Sequence, residues 1–117
     1  MAMVDTLSFD DPYEKQPSEQ ETIKLDLSAI AASLVVSGYA LTSAVVNVFD
    51  QTGEDVTGDM VATNSIDGPN SFVYVTVKAG EDGQDYFMRI RHTWQKGGNP
   101  DQTKESDLLV QVREIGF

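Results

Sequence analysis

Cysteine is missing from this chain, so disulfides, thiolate metal sites and cysteine nucleophiles are all excluded. Folding has to proceed without covalent staples, in any redox compartment. Basic residues are scarce: eight against nineteen acids, for a formal net charge of −11 at pH 7. Such a balance repels phosphate backbones, whose recognition needs Lys and Arg to displace counterions. It equally opposes docking on anionic lipid surfaces. The expected partners are therefore neither nucleic acid nor membrane.

Long apolar runs are also lacking, and nothing approaches the ~20 residues that span a bilayer. The opening "MAMVDTLSFDDPYEKQ" has neither the basic start nor the apolar core of a secretory signal. The expectation is a protein made and kept in the cytoplasm unless an assembly carries it out. There is a single histidine, His92, and no H-E-x-x-H or Cys/His spacing to make it a metal ligand. No G-x-S-x-G surrounds a serine, and no G-K-[ST] or G-x-G-x-x-G forms a phosphate loop. A Ser-His-Asp relay with members distant in the chain is left open, since its residues need not be close in sequence. The expectation is a structural His92, with no catalytic residue, cofactor or metal.

What is present is an ordinary globular composition, 40% hydrophobic and 23% charged over 117 residues, enough for one domain and one core. Residues 1–20 stand apart. They mix acids with Pro12 and Pro17 and show no sustained period, which predicts an acidic arm that is flexible or docks in extended form. Residues 21–117 form the domain proper. "ETIKLDL" alternates, with Ile23, Leu25 and Leu27 on one face. "SAIAASLVVSG" fits either a short helical turn or a strand. "ALTSAVVNVFD" is β-branched and runs into the turn "QTGED". "DVTGDMV" reads as a short strand and "SIDGPN" as a turn. "SFVYVTVK" is a strand with Val73, Val75 and Val77 inward; "YFMRIRHTW" follows with Tyr86, Met88 and Ile90 inward. "QKGGNPDQTK" reads as a loop before a last strand, "ESDLLVQVREI". Turn signals every 10–15 residues or so, without long helical patterns, predict an antiparallel sandwich or barrel.

The acids gather at Asp10/Asp11, Glu54/Asp55 and Glu81/Asp82/Asp85. Neither "DQTGED" nor "GEDGQD" meets the EF-hand pattern, so these are read as solvated turns rather than calcium loops. The stretch "AGEDGQDY" carries a structural signature instead. Gly80 and Gly83 give freedom for a tight bend, the acids face water, and Tyr86 sits where sandwich proteins place a tyrosine that bonds back to upstream loop backbone.

Alternation also defines an outer face. With Met88 and Ile90 inward, Phe87, Arg89 and Arg91 point out. The last strand adds Leu109, Gln111 and Arg113, and "AVVNVFD" adds Val45, Asn47 and Phe49. Three of the eight basic residues thus share one face of an acidic protein, among aromatics. Arg with aromatics is enriched at protein contacts. Phe49, Phe87, Arg89, Arg91, Leu109 and Arg113 are the candidate partner-binding set. The expected occupant is a neighbouring subunit or the acidic arm with Asp10, Asp11 and Glu14.

The order of these pieces resembles a group of small phage and prophage proteins. It has an acidic N-terminus with a D-P motif, Asp11-Pro12, and a short I-x-S-like strand at Leu41-Thr42-Ser43. A hydrophobic strand then leads into G-x-x-G-x-x-Y at Gly80, Gly83 and Tyr86, followed by Arg91-His92-Thr93. The last strand has the form E-x-x-x-x-V-x-V. The likeness spans roughly residues 11–115 and departs at Val46, where the group carries an aromatic. It implies an all-β, immunoglobulin-like antiparallel β-sandwich of about seven strands with an extended N-terminal arm. It also implies a non-catalytic virion component of tail, fibre or capsid surface, assembled in the host bacterial cytoplasm. The partners would be other virion proteins or further copies of the chain. A second reading is a carbohydrate- or protein-binding module of a bacterial surface protein, using Trp94, Tyr39 and Tyr74. A third is a hydrolase working through Asp82 and Asp85.

Overall fold

A computed structural model of the chain describes residues 5–7 and 12–114. Two four-stranded sheets pack face to face. The strands are β1 (Asp5–Leu7), β2 (Tyr13–Lys15), β3 (Glu21–Asp26), β4 (Ala40–Phe49), β5 (Val61–Asp67), β6 (Phe72–Val77), β7 (Asp85–Gln95) and β8 (Gln102–Val112). Two short helices, α1 (Ala32–Val36) and α2 (Thr57–Met60), sit in the connections. The first sheet runs β1-β3-β6-β5 and the second β2-β8-β7-β4.

The long strands form where side chains alternate. β6 buries Val73, Val75 and Val77; β7 buries Tyr86, Met88, Ile90, His92 and Trp94; β8 buries Leu108, Val110 and Val112. With Ile23, Leu25 and Leu27 from β3 and its end, and Val46 and Val48 from β4, these fill the space between the sheets. Each inner face is a period-two apolar row, as expected of stacked antiparallel sheets.

The N-terminal segment docks in extended form, and it does so in both sheets. β1 pairs parallel with β3, Asp5 opposite Ile23, while β2 pairs parallel with β8, Tyr13 opposite Val110. One flank of the sandwich is thereby closed by the arm. Tyr13 and Lys15 are buried within it. The Lys15 ammonium donates to the carbonyls of Gln16 and Ala79, so the arm is tied to the loop that precedes β7. Tyr13 donates its hydroxyl to the Glu21 carboxylate. Asp10 and Asp11 lie outside the described residues.

Several local expectations are corrected. "DVTGDMV" is not a strand: Asp55 accepts from the Thr57 backbone N–H and hydroxyl, a local turn that starts α2 instead. "SIDGPN" is a turn only from Gly68 on, since Ser65, Ile66 and Asp67 pair with Tyr74, Val73 and Phe72. The loop before β8 is shorter than expected, because Gln102 already pairs with Trp94. "SAIAASLVVSG" takes its helical alternative, as α1.

Candidate protein-docking face

The register of β4, β7 and β8 sets the outer face row by row. Phe49, Phe87 and Leu109 lie side by side; next come Asn47, Arg89 and Asp107, then Val45, Arg91 and Glu105. Five of the six candidate contact residues therefore share the face, in three adjacent rows. Phe87 is 48% exposed, and Phe49 and Leu109 are half-buried. A shallow depression of about 430 Å³ opens at the aromatic row, lined by Phe49, Phe87, Arg89 and Asp107 with the turn after β4.

Charge on this face is balanced within the sheet. Arg89 binds Asp107 at 3.1 Å and Glu105 at 3.2 Å, and Arg91 binds Glu105 at 3.2 Å. Asp107 and Glu105 come from β8, directly across the ladder, so the cations are neutralised within the sheet. The hydrogen bond and charge of Asp107, and then Glu105, hold the Arg89 guanidinium above its usual range. Its guanidinium also lies 5.8 Å from the centre of the Phe49 ring, a cation–π distance. These exposed ion pairs add little stability. Their effect is to fix Arg89 in place beside Phe49 and Phe87.

Arg113 turns away from that group. It binds Asp85 at 2.7 Å and donates to the carbonyls of Gln84 and Val112, closing the end of the β7–β8 ladder. Of the acids expected on this face, Glu14 sits at the sheet edge opposite Gln111. Tyr13, Glu14 and Lys15 are engaged by strand pairing, which satisfies backbone groups that a side-chain contact would leave open, while Asp10 and Asp11 lie outside the described residues.

The bend before β7 is built from the residues singled out for it. Gly80 (φ +97°) and Gly83 (φ +82°) take left-handed conformations, and the Glu81 N–H donates to the Tyr86 hydroxyl at 3.1 Å. The acids of this loop do more than face water. Asp82 accepts from the Glu114 N–H at 2.8 Å, and Asp85 holds Arg113. Asp82 and Asp85, the carboxylates of the hydrolase reading, thus fasten Arg113 and Glu114 to the bend.

His92 is the centre of a buried polar row that the sequence did not announce. Trp94 donates its indole N–H to His92 Nδ1 at 2.8 Å, and His92 Nε2 lies 3.1 Å from Ser106 Oγ. Because Nδ1 accepts, the ring proton sits on Nε2 and donates to Ser106. A histidine in that tautomer cannot take the proton of Ser106, so this contact is not a serine-activating relay. Burial, with a smaller contribution from the Lys104 charge, holds the imidazole pKa below its ordinary value. Trp94 is fully buried and cannot offer a stacking face to sugar, which removes the main aromatic of the carbohydrate reading. Tyr39 and Tyr74 are half-buried, and Tyr74 meets Phe72 edge to face rather than in a flat platform.

Among the described residues no group of three or more His, Cys, Asp or Glu is placed to hold a metal ion, and no helix is long and apolar enough to cross a membrane. No protein-family model matches the chain, and no curated protein does.

Proposed function

We propose that this protein is a non-catalytic structural or assembly component of a phage or prophage virion, acting through protein–protein contacts. The observation that carries the contact reading is the row Phe49–Phe87–Leu109 on the outer face of the second sheet. Two aromatics and a leucine lie beside an arginine that is already ion-paired and held over one ring. Such an anchor loses little side-chain freedom when a partner covers it, and a neutralised arginine brings no unpaired charge into the contact. Three side chains that could carry chemistry are engaged in the fold: His92 by Trp94 and Ser106, Asp82 by the Glu114 N–H and Asp85 by Arg113. The virion setting rests on the likeness in the order of motifs from Asp11-Pro12 to the last strand.

The test is particle composition. Particles released on prophage induction and banded in a density gradient should contain this chain at several copies each by peptide mass spectrometry. Phe87→Asp should fold normally yet be depleted from the particles at least about tenfold, as expected for loss of an aromatic anchor. Particles without the chain would refute the reading.

A further inference from the structure

From Leu27 to Phe49 the chain carries no charged residue at all, although a stretch of that length would ordinarily hold about five at 23% charged. This tract comprises α1 and the whole of β4. Four of the five large hydrophobics exposed among the described residues belong to it: Ile30, Val35, Val36 and Val45. The fifth, Phe87, is paired with its last residue, Phe49.

β4 is also an edge strand of the second sheet, and β5 is an edge strand of the first. The opposite flank carries the arm. The part of β8 that β2 does not cover is defended by Lys104, Glu105 and Asp107, the usual protection of a free edge. β4 has neither charge nor proline. Both of its ends are covered: Gly68 packs against the Leu41 carbonyl at one, and at the other the Val48 N–H donates to Thr57 Oγ1 while the Val48 carbonyl accepts from the Val56 N–H. Those two bonds show that the backbone groups of Val48 point away from β7. By the two-residue period of a strand, those of Val46 and Ala44 point the same way. Among the described residues neither has a backbone partner outside its sheet.

We infer that β4 is a self-pairing edge: two copies of this chain join antiparallel through β4 about a two-fold axis at Val45. Ala44 of one copy then exchanges both backbone hydrogen bonds with Val46 of the other, and the reverse. The two Val45 side chains, each 55% exposed in the single chain, face each other as a non-hydrogen-bonded pair. The result is one continuous sheet of two four-stranded halves.

Charge identifies the occupant. Two molecules of net charge −11 repel wherever acids face each other, and they approach at least cost where neither bears charge. A basic partner would gain nothing at an uncharged edge and would be drawn to the acidic turns. An edge stripped of charge in an acidic protein therefore fits a like-charged partner, which is a second copy. This deepens the assembly reading by naming one of its contacts, on an edge distinct from the Phe87 row.

Sedimentation equilibrium of the full chain tests it. The expected mass is twice the 12.8 kDa of one chain, and Val45→Glu should raise the dissociation constant at least about 100-fold by setting like charges face to face. Circular dichroism checks that this variant folds. A second variant does not depend on tolerance of a charge. The chain has no cysteine, so Val45→Cys introduces a single thiol that should oxidise to a covalent dimer, whereas Ser43→Cys should not. A single-chain mass across the micromolar range, a dimer indifferent to Val45→Glu, or no cross-link through position 45 each overturns the inference. Particles that contain a chain monomeric in solution would overturn this contact while leaving the virion reading intact. A β4 dimer missing from particles would do the opposite.

Discussion

Trp94 and His92, two residues apart on β7, both point into the core, and the indole N–H of one ends on Nδ1 of the other at 2.8 Å. Same-face neighbours on a strand are about 7 Å apart at the backbone, so only two long side chains leaning together make this bond. It fixes the imidazole as a neutral acceptor at Nδ1 and a donor at Nε2.

Acid should therefore weaken the fold through His92. Its folded pKa lies below the ordinary 6.5, so the unfolded chain binds the proton more readily. The stability it contributes is complete above about pH 6.5 and falls as pH drops from there toward the folded pKa. Urea midpoints should decline between pH 7.5 and 5.5. His92→Gln, whose carbonyl can still accept from Trp94, should flatten that decline. An equal decline in both proteins would show that other groups are responsible.

Gly80 and Gly83 share the left-handed conformation but not the surroundings. A methyl group at Gly80 would lie 2.8 Å from Val112 Cγ2 and 3.2 Å from Met60, whereas nothing lies within 4 Å at Gly83. Gly83→Ala should cost about 1 kcal/mol from backbone strain alone. Gly80→Ala adds overpacking and should cost about 3 kcal/mol. Equal losses in denaturant titrations would contradict this assignment of causes.

Lys15 is only 3% exposed, and its ammonium is the link between the arm and the loop before β7. Burial lowers its pKa, while Glu19 and Glu21 act in the opposite direction. Lys15→Ala leaves the Gln16 and Ala79 carbonyls without this donor and removes the buried stem. A loss of about 2 kcal/mol is expected, with faster amide exchange at Tyr13 and Glu14. Unchanged exchange there would mean that strand pairing alone holds the arm.

Thr57 plugs the edge of β4 by accepting from the Val48 N–H at 2.8 Å and donating to Asp55 at 2.6 Å. Thr57→Val keeps the shape and strands that N–H, at a cost of about 2 kcal/mol; Thr57→Ser should cost under about 1 kcal/mol. The Thr57 hydroxyl is also the first cause that lowers the Asp55 pKa. Carboxyl titration by NMR should therefore show Asp55 rising toward its ordinary value in Thr57→Val and staying low in Thr57→Ser.

The sequence was most readable where one face of a strand is buried. β3, β6 and β7 announce themselves through Ile23/Leu25, Val73/Val75/Val77 and Met88/Ile90, because burial imposes the alternation. β5 does not, since Ala62, Thr63, Asn64 and Ser65 are all exposed and no core enforces a period. The arm was legible as a segment apart, flexible or docked in extended form, but not as strands in two sheets. Its pairing depends on open edges of β3 and β8 that exist only once the sandwich is folded.

The same division runs through the candidate surfaces. Alternation alone placed Phe49, Phe87, Arg89, Arg91 and Leu109 on one side of their strands, because side-chain direction follows directly from position along a strand. Composition alone determined an acidic, cysteine-free protein whose fold must rest on its core. Register and topology decided the rest: that Glu105 and Asp107 neutralise the arginines, that Arg113 is held by Asp85, and that β4 ends up at the edge of its sheet. Those are relations between residues far apart in the chain. Which backbone lies beside which is settled by packing of the whole core, and no local stretch of sequence encodes it.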